Sequence, residues 1–149
     1  HKLFYASGFL YHVATQQILL QQSSLSNTPS PTWSMFGGSS LNGEDAQTAF
    51  QRIMQERVHI RLVAKHLFPV YDYFYNALNK IHYVFYAEVQ KLYTFPSLHT
   101  DVFSWFTFKQ TTKLAFNDQA KQDIIVSERV IKAHARSIEP AILPPPKQL

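Results

Sequence analysis

The stretch "FGGSSLNGEDAQTAFQRIMQERVHI", residues 36–60, decides the fold because it leads from a glycine-rich turn into an amphipathic helix. Gly37, Gly38 and Gly43 are three of the four glycines in the chain. Glycine allows the backbone to turn tightly or to approach a ligand closely. The clustering therefore predicts a loop that turns the chain into the helix, contacts a ligand, or does both.

The apolar pattern predicts this helix from Glu44 to about Val58. Apolar residues recur at spacings of three and four and form one stripe, which consists of Ala46, Ala49, Phe50, Met54 and Val58. Asn42 or Gly43 is the expected cap. Glu44 and Asp45 are expected in the first turn, where the helix dipole favours acidic side chains.

The composition is that of a folded domain. The chain has 149 residues, 46% hydrophobic and 15% aromatic, which excludes a disordered chain and allows one buried core. We expect no membrane span, because no run of 18 apolar residues occurs, and no signal-peptide pattern is found. The absence of cysteine excludes disulfides, thiolate zinc sites and cysteine nucleophiles. The expected location is the cytoplasm.

The net charge is mildly basic, with 14 Lys and Arg against 10 Asp and Glu, a formal +4. A basic excess favours an anionic ligand such as a nucleotide. The basic residues are scattered from Lys2 to Lys147 and form no block. This distribution favours a solvated basic surface over a nucleic-acid-binding patch.

Alternating polarity predicts that most of the chain outside the helix is β-structure. The predicted strands are two within residues 9–24, one over 33–36, two within 66–89 that turn near Asn76 to Lys80, and one over 101–108. On the strand after that turn, Tyr83 and Phe85 should face one side of the sheet, and Val84 and Tyr86 the other. A polar loop is expected over residues 24–32.

A second helix ends the predicted domain. It starts at Asn117 or Asp118 and is expected to end before Pro140. A proline-rich, extended tail is predicted over residues 140–149. The order strands, helix, strands, helix predicts one α+β domain over residues 1–139, with a mixed sheet covered by helices.

The spacing around the first helix resembles the Nudix box, G-x5-E-x7-R-E-U-x-E-E-x-G-U, where U is a bulky aliphatic residue. The matching positions are Gly38, Glu44, Arg52, Met54, Glu56 and Ile60. The preceding "WSMFGGSSLNGE" resembles the family's W-x-x-P-G-G-x-x-x-x-G-E lead-in, with Phe36 in place of proline, and "IHYVFYAEV" and "HTDVFSWF" resemble later strands. The resemblance covers roughly residues 9–135. It implies a Nudix-like α/β/α sandwich and, for an active enzyme, diphosphate hydrolysis with Mg²⁺ or Mn²⁺.

Three positions depart from the family pattern. Ile53 stands in place of the first helical glutamate, Arg57 in place of the second paired glutamate, and His59 in place of the box glycine. Positions 53, 56 and 57 lie on one helix face by their spacing, and their formal charge is 0 − 1 + 1 = 0 instead of −3. Mg²⁺ prefers oxygen ligands, so weak or absent hydrolysis is expected. A helix ending at His59 implies a positive φ with local strain, or a shifted helix end.

The candidate catalytic residues are Glu56, Glu44 and Arg52. The resemblance implies that Arg52 supports the carboxylates. Because Glu44 and Arg52 are eight residues apart, a direct pair requires the loop to fold Glu44 back towards the helix. The alternative is that all three are surface charges that stabilise the helix, with Glu56 paired to Arg52 one turn away.

The candidate ligand-binding residues are Gly37, Gly38 and Arg57. A guanidinium binds phosphate in bidentate geometry, so Arg57 is a candidate for holding a diphosphate without metal. The alternative is a solvated helix residue. Glu56 and Asp101 are the candidate ligands for Mg²⁺ or Mn²⁺. The alternative is that the protein uses no cofactor. The histidine spacing does not indicate a zinc site.

The leading hypothesis is a degenerate Nudix domain that binds a nucleoside-diphosphate-type ligand with weak or absent hydrolysis. The first alternative is an active Mg²⁺- or Mn²⁺-dependent diphosphate hydrolase, and the second is a structural or protein-interaction module with a vestigial cleft. RNA binding has little support in the scattered charge. The aromatic strand residues, among them Tyr71, Tyr73 and Tyr75, form core or line a base-stacking pocket. Besides a nucleotide-like small molecule, the candidate partner is a second copy of the chain, in a homodimer.

Overall fold

Two parallel strands form the centre of the sheet. The computed structural model describes residues 3–23, 32–95 and 101–142. Its strands are β1 (Phe4–His12), β2 (Gln17–Ser23), β3 (Trp33–Ser34), β4 (Phe36–Ser39), β5 (Leu67–Tyr75), β6 (Lys80–Val89) and β7 (Asp101–Thr107). β1 runs parallel to β6, from Phe4 opposite Ile81 to His12 opposite Val89. The other strand pairs in these described ranges are antiparallel.

The other strands widen the sheet on both sides of this pair. The order is β3-β2-β1-β6-β5, while β4 lies along β1 and β7 along β2. The helices are α1 (Ala46–Val58), the four-residue α2 (Phe108–Thr111) and α3 (Asp118–Ile142), and a 3-10 turn spans Ala64–His66. This mixed sheet with helices confirms the predicted α+β class.

Side chains of the sheet pack into two separate cores, one under each long helix. The core under α1 contains Ala6, Leu10, Leu19, Phe36, Phe50, Ile53, Met54, Phe85 and Ala87. The core under α3 contains Phe9, Tyr11, Ile18, Leu20, Val84, Tyr86, Ile124 and Ile131. Alternate residues of β6 enter opposite cores, as the sequence predicts. The expected α/β/α sandwich is therefore confirmed.

Gly8 sets how closely the layers approach. A Cβ atom added there would lie 2.0 Å from the backbone oxygen of Phe85 on β6 and 2.9 Å from the ring of Phe50 on α1. Real Cβ atoms do not approach a carbonyl oxygen so closely, so a larger residue would separate β1 from its parallel partner. Phe50 and Phe85 stack with ring centroids 5.7 Å apart directly beside this contact.

A buried polar network attaches α3 to the other face. The carboxylate of Asp123 is only 1% exposed and accepts hydrogen bonds from the hydroxyls of Tyr71, at 2.6 Å, and Tyr73, at 3.0 Å. The Tyr73 oxygen lies 2.7 Å from Nδ1 of His82, and Nε2 of His82 lies 2.6 Å from the hydroxyl of Ser7. The network therefore links β1, β5, β6 and α3.

Several predicted boundaries differ from the structure. β1 starts at Phe4, five residues before the predicted start. The segment predicted as one strand over 33–36 forms two strands, and β4 extends to Ser39. The predicted turn between β5 and β6 is confirmed. Thr107 and Gln110 form a capping box that starts α2, so the strand predicted over 101–108 ends one residue early.

The predicted end of the second helix is wrong, because α3 continues past Pro140 to Ile142. Proline removes one backbone hydrogen bond from a helix, and here that loss falls in the last turn. The rest of the predicted tail, residues 143–149, and nearly all of the predicted polar loop lie outside the described residues. Within the described ranges, no helix has both the length and the apolar character needed to cross a bilayer.

The buried imidazole of His82 should make the stability of the fold pH-dependent. Burial lowers the pKa of His82 below its ordinary value, and Asp123 opposes this effect only partly. Between that lowered pKa and about 6.5, the unfolded chain binds a proton that the folded chain does not. The free energy of unfolding should therefore fall as the pH falls through this window, by at most about 1.4 kcal/mol per pH unit.

Urea denaturation between about pH 5 and about pH 7.5 measures this slope. His82→Gln keeps a polar side chain that cannot take up a proton, so its slope should be smaller. His66→Gln removes an exposed imidazole outside the network and should keep the slope of the unmodified protein. Equal slopes for the unmodified protein and His82→Gln would contradict the prediction.

Candidate functional site

The two glycines of β4 pack against opposite faces of the sheet, and Gly38 is the one that faces α1. A Cβ atom added to Gly38 would lie 3.3 Å from Cδ1 of Ile53, so this glycine makes room for the helix. A Cβ atom added to Gly37 would lie 2.7 Å from the Tyr5 hydroxyl on the opposite face. Packing therefore accounts for both glycines, and their role in ligand binding remains a prediction.

The start of α1 differs from the predicted one. Asp45 is the N-cap, and its carboxylate accepts a hydrogen bond of 2.7 Å from the Thr48 backbone. Neither Asn42 nor Gly43 caps the helix, and Glu44 lies in the preceding turn instead of the first helical turn. The Glu44 carboxylate is held there by the Leu41 backbone N–H at 2.7 Å.

Arg52 joins the two box carboxylates and the end of β4. Its guanidinium donates to both oxygens of Glu44, through Nε at 2.8 Å and Nη2 at 3.1 Å. Nη2 also donates to the Ser39 carbonyl at 3.0 Å, and Nη1 donates to Glu56 at 3.3 Å. The loop folds Glu44 back, as a direct pair requires. The structure thus brings the three candidate catalytic residues into contact.

This geometry fixes the charge state of the Glu44–Arg52 pair. The hydrogen bond from Arg52 lowers the pKa of Glu44 and outweighs the opposing effect of desolvation. The same bond raises the pKa of Arg52. Only 13% of the Glu44 side chain and 23% of the Arg52 side chain are exposed, so the pair is partly shielded from water. Glu44 is therefore a neutralised carboxylate with both oxygens already in use.

The three box positions that share one face of α1, residues 53, 56 and 57, lie in different environments. Ile53 is 3% exposed and belongs to the core under α1. The Glu56 side chain is 59% exposed, and Arg57 is exposed and donates from Nη2 to Oε1 of Gln21 on β2. The apolar residue at position 53 is thus a packing residue, while positions 56 and 57 reach solvent.

His59 ends α1 in the left-handed conformation that a glycine would adopt more easily. Its φ is 59° and its ψ 34°, and its N–H bonds the Gln55 carbonyl at 3.1 Å. The positive φ expected from the resemblance is confirmed, and the helix ends at Val58 as predicted. The chain keeps the turn geometry of the box without its glycine.

Asp101, the other candidate metal ligand, is described by its backbone only. Asp101 opens β7, where its backbone pairs with Ser23, and its side chain lies outside the described part of the structure, as does His99. Glu88 lies 3.7 Å from His134 of α3. Within residues 3–23, 32–95 and 101–142, no three His, Cys, Asp or Glu residues are grouped so that they could hold a metal ion.

Sequence reasoning missed Asp123 and its neighbours altogether. Ser7 and His82 are 75 residues apart, and Tyr73 and Asp123 are 50 apart. No local spacing relates these residues. The one available signal was the density of tyrosines on β5, which fits either a core or a pocket.

The family model of the NUDIX domain matches residues 5–127. This match covers most of the chain and includes the site around Arg52. The chain belongs to the Nudix family. Nudix hydrolases generally use Mg²⁺ or Mn²⁺, and the family binds nucleotide-like substrates.

Solved structures share the fold. A crystal structure of an ADP compounds hydrolase has a TM-score of 0.71 at 11% identity, covering 91% of this chain and 76% of that one. A MutT/Nudix family protein from Listeria innocua has a TM-score of 0.67 at 18% identity, covering 88% and 94%. A MutT structure from work on Aliivibrio salmonicida and Vibrio cholerae has a TM-score of 0.61 at 15% identity, covering 84% and 98%. No curated protein matches the sequence.

Replacing Arg52 should destabilise the fold, because its guanidinium holds Glu44, Glu56 and the Ser39 carbonyl together. Charge-assisted hydrogen bonds contribute more than neutral ones, and partial exposure reduces their effect. We expect Arg52→Ala to lower the free energy of unfolding by about 2 kcal/mol. Urea denaturation at neutral pH measures this change.

The matched control is Arg61→Ala, which removes an exposed arginine just beyond α1. Surface substitutions usually change stability by less than about 0.5 kcal/mol. An Arg52→Ala effect no larger than that of the control would mean that the contacts of Arg52 do not stabilise the loop.

Proposed function

We propose that this chain is a Nudix domain that binds a nucleoside-diphosphate-type ligand and hydrolyses it weakly or not at all. The observation that carries the proposal is the charge of the box helix, where Ile53 and Arg57 stand in place of two glutamates and Arg52 engages the two carboxylates that remain. Glu44 uses both oxygens in this contact. Ile53 fills the core at the position where the family pattern has a glutamate.

A divalent cation does not fit the described residues of this site. Mg²⁺ and Mn²⁺ prefer several oxygen ligands in a regular arrangement. Glu56 lies between Arg52 and Arg57 in sequence, and its carboxylate is 3.3 Å from the guanidinium of Arg52. Arg52 and Arg57 together balance the charges of Glu44 and Glu56. No step of a metal-assisted reaction is therefore assigned to these residues.

Arg57 is the residue proposed to bind the diphosphate. It is exposed at the end of α1, and its contact with Gln21 directs it across the neighbouring β2. Its charge reaches the Tyr5 hydroxyl, where it opposes the rise in pKa that burial causes. Tyr5 in turn packs against Gly37. A phosphate placed beside Gly37 and Gly38 would meet this charge without an intervening metal.

Metal-free binding tests this role of Arg57. The unmodified protein should bind ADP in the presence of EDTA, and Arg57→Glu should weaken that binding. Loss of a charge-assisted hydrogen bond costs about 1.5 to 3 kcal/mol, equivalent to roughly tenfold to a hundredfold in the dissociation constant. Calorimetric titration measures the change.

Arg61→Glu is the matched control, because it makes the same charge change at an exposed arginine four residues further on. The control should bind ADP as the unmodified protein does. Equal weakening by both variants would indicate attraction by the net charge alone. No ADP binding to the unmodified protein would favour the structural or interaction module with a vestigial cleft.

An active hydrolase is the second candidate, and membership of the Nudix family is what favours it. In this case Glu56 and Asp101 would be the metal ligands, with Glu44 and Arg52 completing the catalytic set. Glu56 would have to leave Arg52, and Asp101 would have to supply the acid that position 53 lacks. A structure relative known as an ADP compounds hydrolase makes ADP-containing substrates the natural ones to test first.

Turnover separates the two candidates. Nucleoside di- and triphosphates, dinucleoside polyphosphates and ADP-ribose should release no phosphate or nucleotide above background with Mg²⁺ or Mn²⁺, because the acids are already neutralised. The control is Glu56→Gln, which removes one negative charge at constant size. Metal-dependent turnover that disappears in Glu56→Gln would overturn the proposal and establish the hydrolase.

The proposal also includes the cytoplasmic location and the homodimer expected from the sequence. Neither depends on the geometry around Arg52. Light scattering coupled to gel filtration would measure the mass of the particle and decide between a monomer of 17.3 kDa and a dimer.

A further inference from the structure

The positive charge of the chain is unevenly distributed over the fold. Residues 108–138, which contain α2 and most of α3, hold six lysines and arginines against three acids, a local charge of 6 − 3 = +3. Residues 3–95 hold six against five, or 6 − 5 = +1. The basic residues are scattered along the sequence, which by itself favours a solvated surface. The fold nevertheless places most of the excess on the side of α2 and α3.

The solvent side of α3 carries these charges in one stripe. Lys121, Arg129, Lys132 and Arg136 are exposed, and Ile125, which is 39% exposed, lies among them. Successive spacings of four, four, three and four place all five side chains on one face of the helix. The stripe is about 22 Å long, at a rise of 1.5 Å per residue. The opposite face is buried against the sheet and contains Ala120, Ile124, Ser127 and Ile131.

A groove of about 290 Å³ lies beside this stripe, between α3, α2 and the turn that joins β1 to β2. Lys109 of α2 and Lys132 of α3 both line it, so positive side chains from two elements border the same space. The hydroxyl and amide groups in the lining come from Thr15, Gln16 and Thr107. The groove therefore combines positive charge with neutral polar groups, which is a suitable lining for a phosphate.

Glu128 is the acid in the described lining of this groove. Nζ of Lys132 lies 2.7 Å from its Oε2, one helical turn away. The Lys132 side chain is 62% exposed, so this pair contributes little to stability and can exchange for a stronger anion. The two lysines and Glu128 leave a charge of 2 − 1 = +1 in the groove, to which the stripe adds Arg129 and Arg136.

Two aromatic side chains complete the groove. Tyr11 and Phe108 both line it, and their ring centroids are 6.3 Å apart with the ring planes at 34°. The bases of a flexible strand stack on aromatic side chains whatever their sequence. A positively charged groove with aromatic walls is the combination by which proteins bind single-stranded nucleic acid without sequence preference.

We propose that this groove and the stripe of α3 bind a single-stranded nucleic acid through its phosphates. The concave shape favours a strand over a bilayer, because a flat membrane surface does not enter a groove. Membrane-binding helices also bury a broad apolar face, whereas Ile125 is the one exposed apolar side chain within the stripe. The inference goes beyond the proposed function and requires neither the box helix nor a metal.

Fluorescence anisotropy with labelled oligomers tests the binding. Deoxythymidine and uridine strands of about ten nucleotides should both bind the full chain in EDTA. Each neutralised phosphate of a single strand contributes about −0.7 to the slope of log affinity against log salt. Between about 50 mM and about 200 mM salt, the affinity should fall about sevenfold for two contacts and about fiftyfold for four. No binding of either strand would overturn the proposal.

The double variant Lys109→Gln/Lys132→Gln tests the groove. It should weaken binding at low salt by at least about tenfold and reduce the salt slope by about 1.4, because two phosphate contacts are lost. The matched control, Lys65→Gln/Lys91→Gln, removes the same charge at two exposed lysines outside the groove and should bind as the unmodified protein does. Equal weakening by both variants would indicate attraction by net charge alone and overturn the proposal.

Competing polyanions separate a strand from other partners. Unlabelled polyglutamate of the same length and phosphatidylserine vesicles, each at equal total charge, should displace the labelled strand at least about tenfold less effectively than the unlabelled strand does. Equal displacement by polyglutamate would assign the surface to an acidic protein segment, and equal displacement by vesicles to a membrane. Either result would overturn the proposal. None of these probes contains a diphosphate, so this test and the test of metal-free ADP binding can fail independently.

Discussion

The close approach of α1 to the sheet is the constraint on which the rest of this structure depends. At Gly8 no side-chain atom fits between β1, β6 and α1, and at Gly38 a Cβ atom would make a tight contact of 3.3 Å with Ile53. These contacts are steric and apolar and require no metal. The frame of the Nudix box therefore has a structural function of its own. It can persist in a chain whose acidic residues have changed, because packing alone keeps the glycines and the apolar stripe in place.

Arg52, a matching position of the box, balances the charge of the carboxylates that remain in that frame. A divalent ion surrounded by carboxylates balances their charge through several oxygen contacts. Here the guanidinium of Arg52 balances the negative charge, with both oxygens of Glu44 and the carboxylate of Glu56 around it. The difference is that a guanidinium cannot lower the pKa of a water molecule as a metal ion does. Under the proposed function, the site keeps the order of the loop without the group that would activate a nucleophile.

The sequence predicted those parts of the fold that depend on neighbouring residues. The stripe of α1, its end at Val58, the alternation on β6 and the box spacing are all local patterns. The start of α1 was placed two residues early, at Glu44 with Asn42 or Gly43 as the cap, because no local pattern shows that Arg52 holds Glu44 outside the helix while Asp45 caps it. The network around Asp123 was out of reach, since its members come from four elements. No spacing in the sequence indicates which tyrosines meet which acid.

The parallel pairing of β1 with β6 has a consequence for how the chain folds. Phe4 faces Ile81, so the central contact of the sheet joins residues 77 positions apart. The β5–β6 and β1–β2 hairpins and α1 consist of local contacts and can form early, whereas the pairing of β1 with β6 requires a long loop to close. Until then β6 exposes a long apolar edge, which is the kind of surface that aggregates. Closure of this long loop thus completes the central pairing of the sheet, and the stage before it is the one most exposed to aggregation.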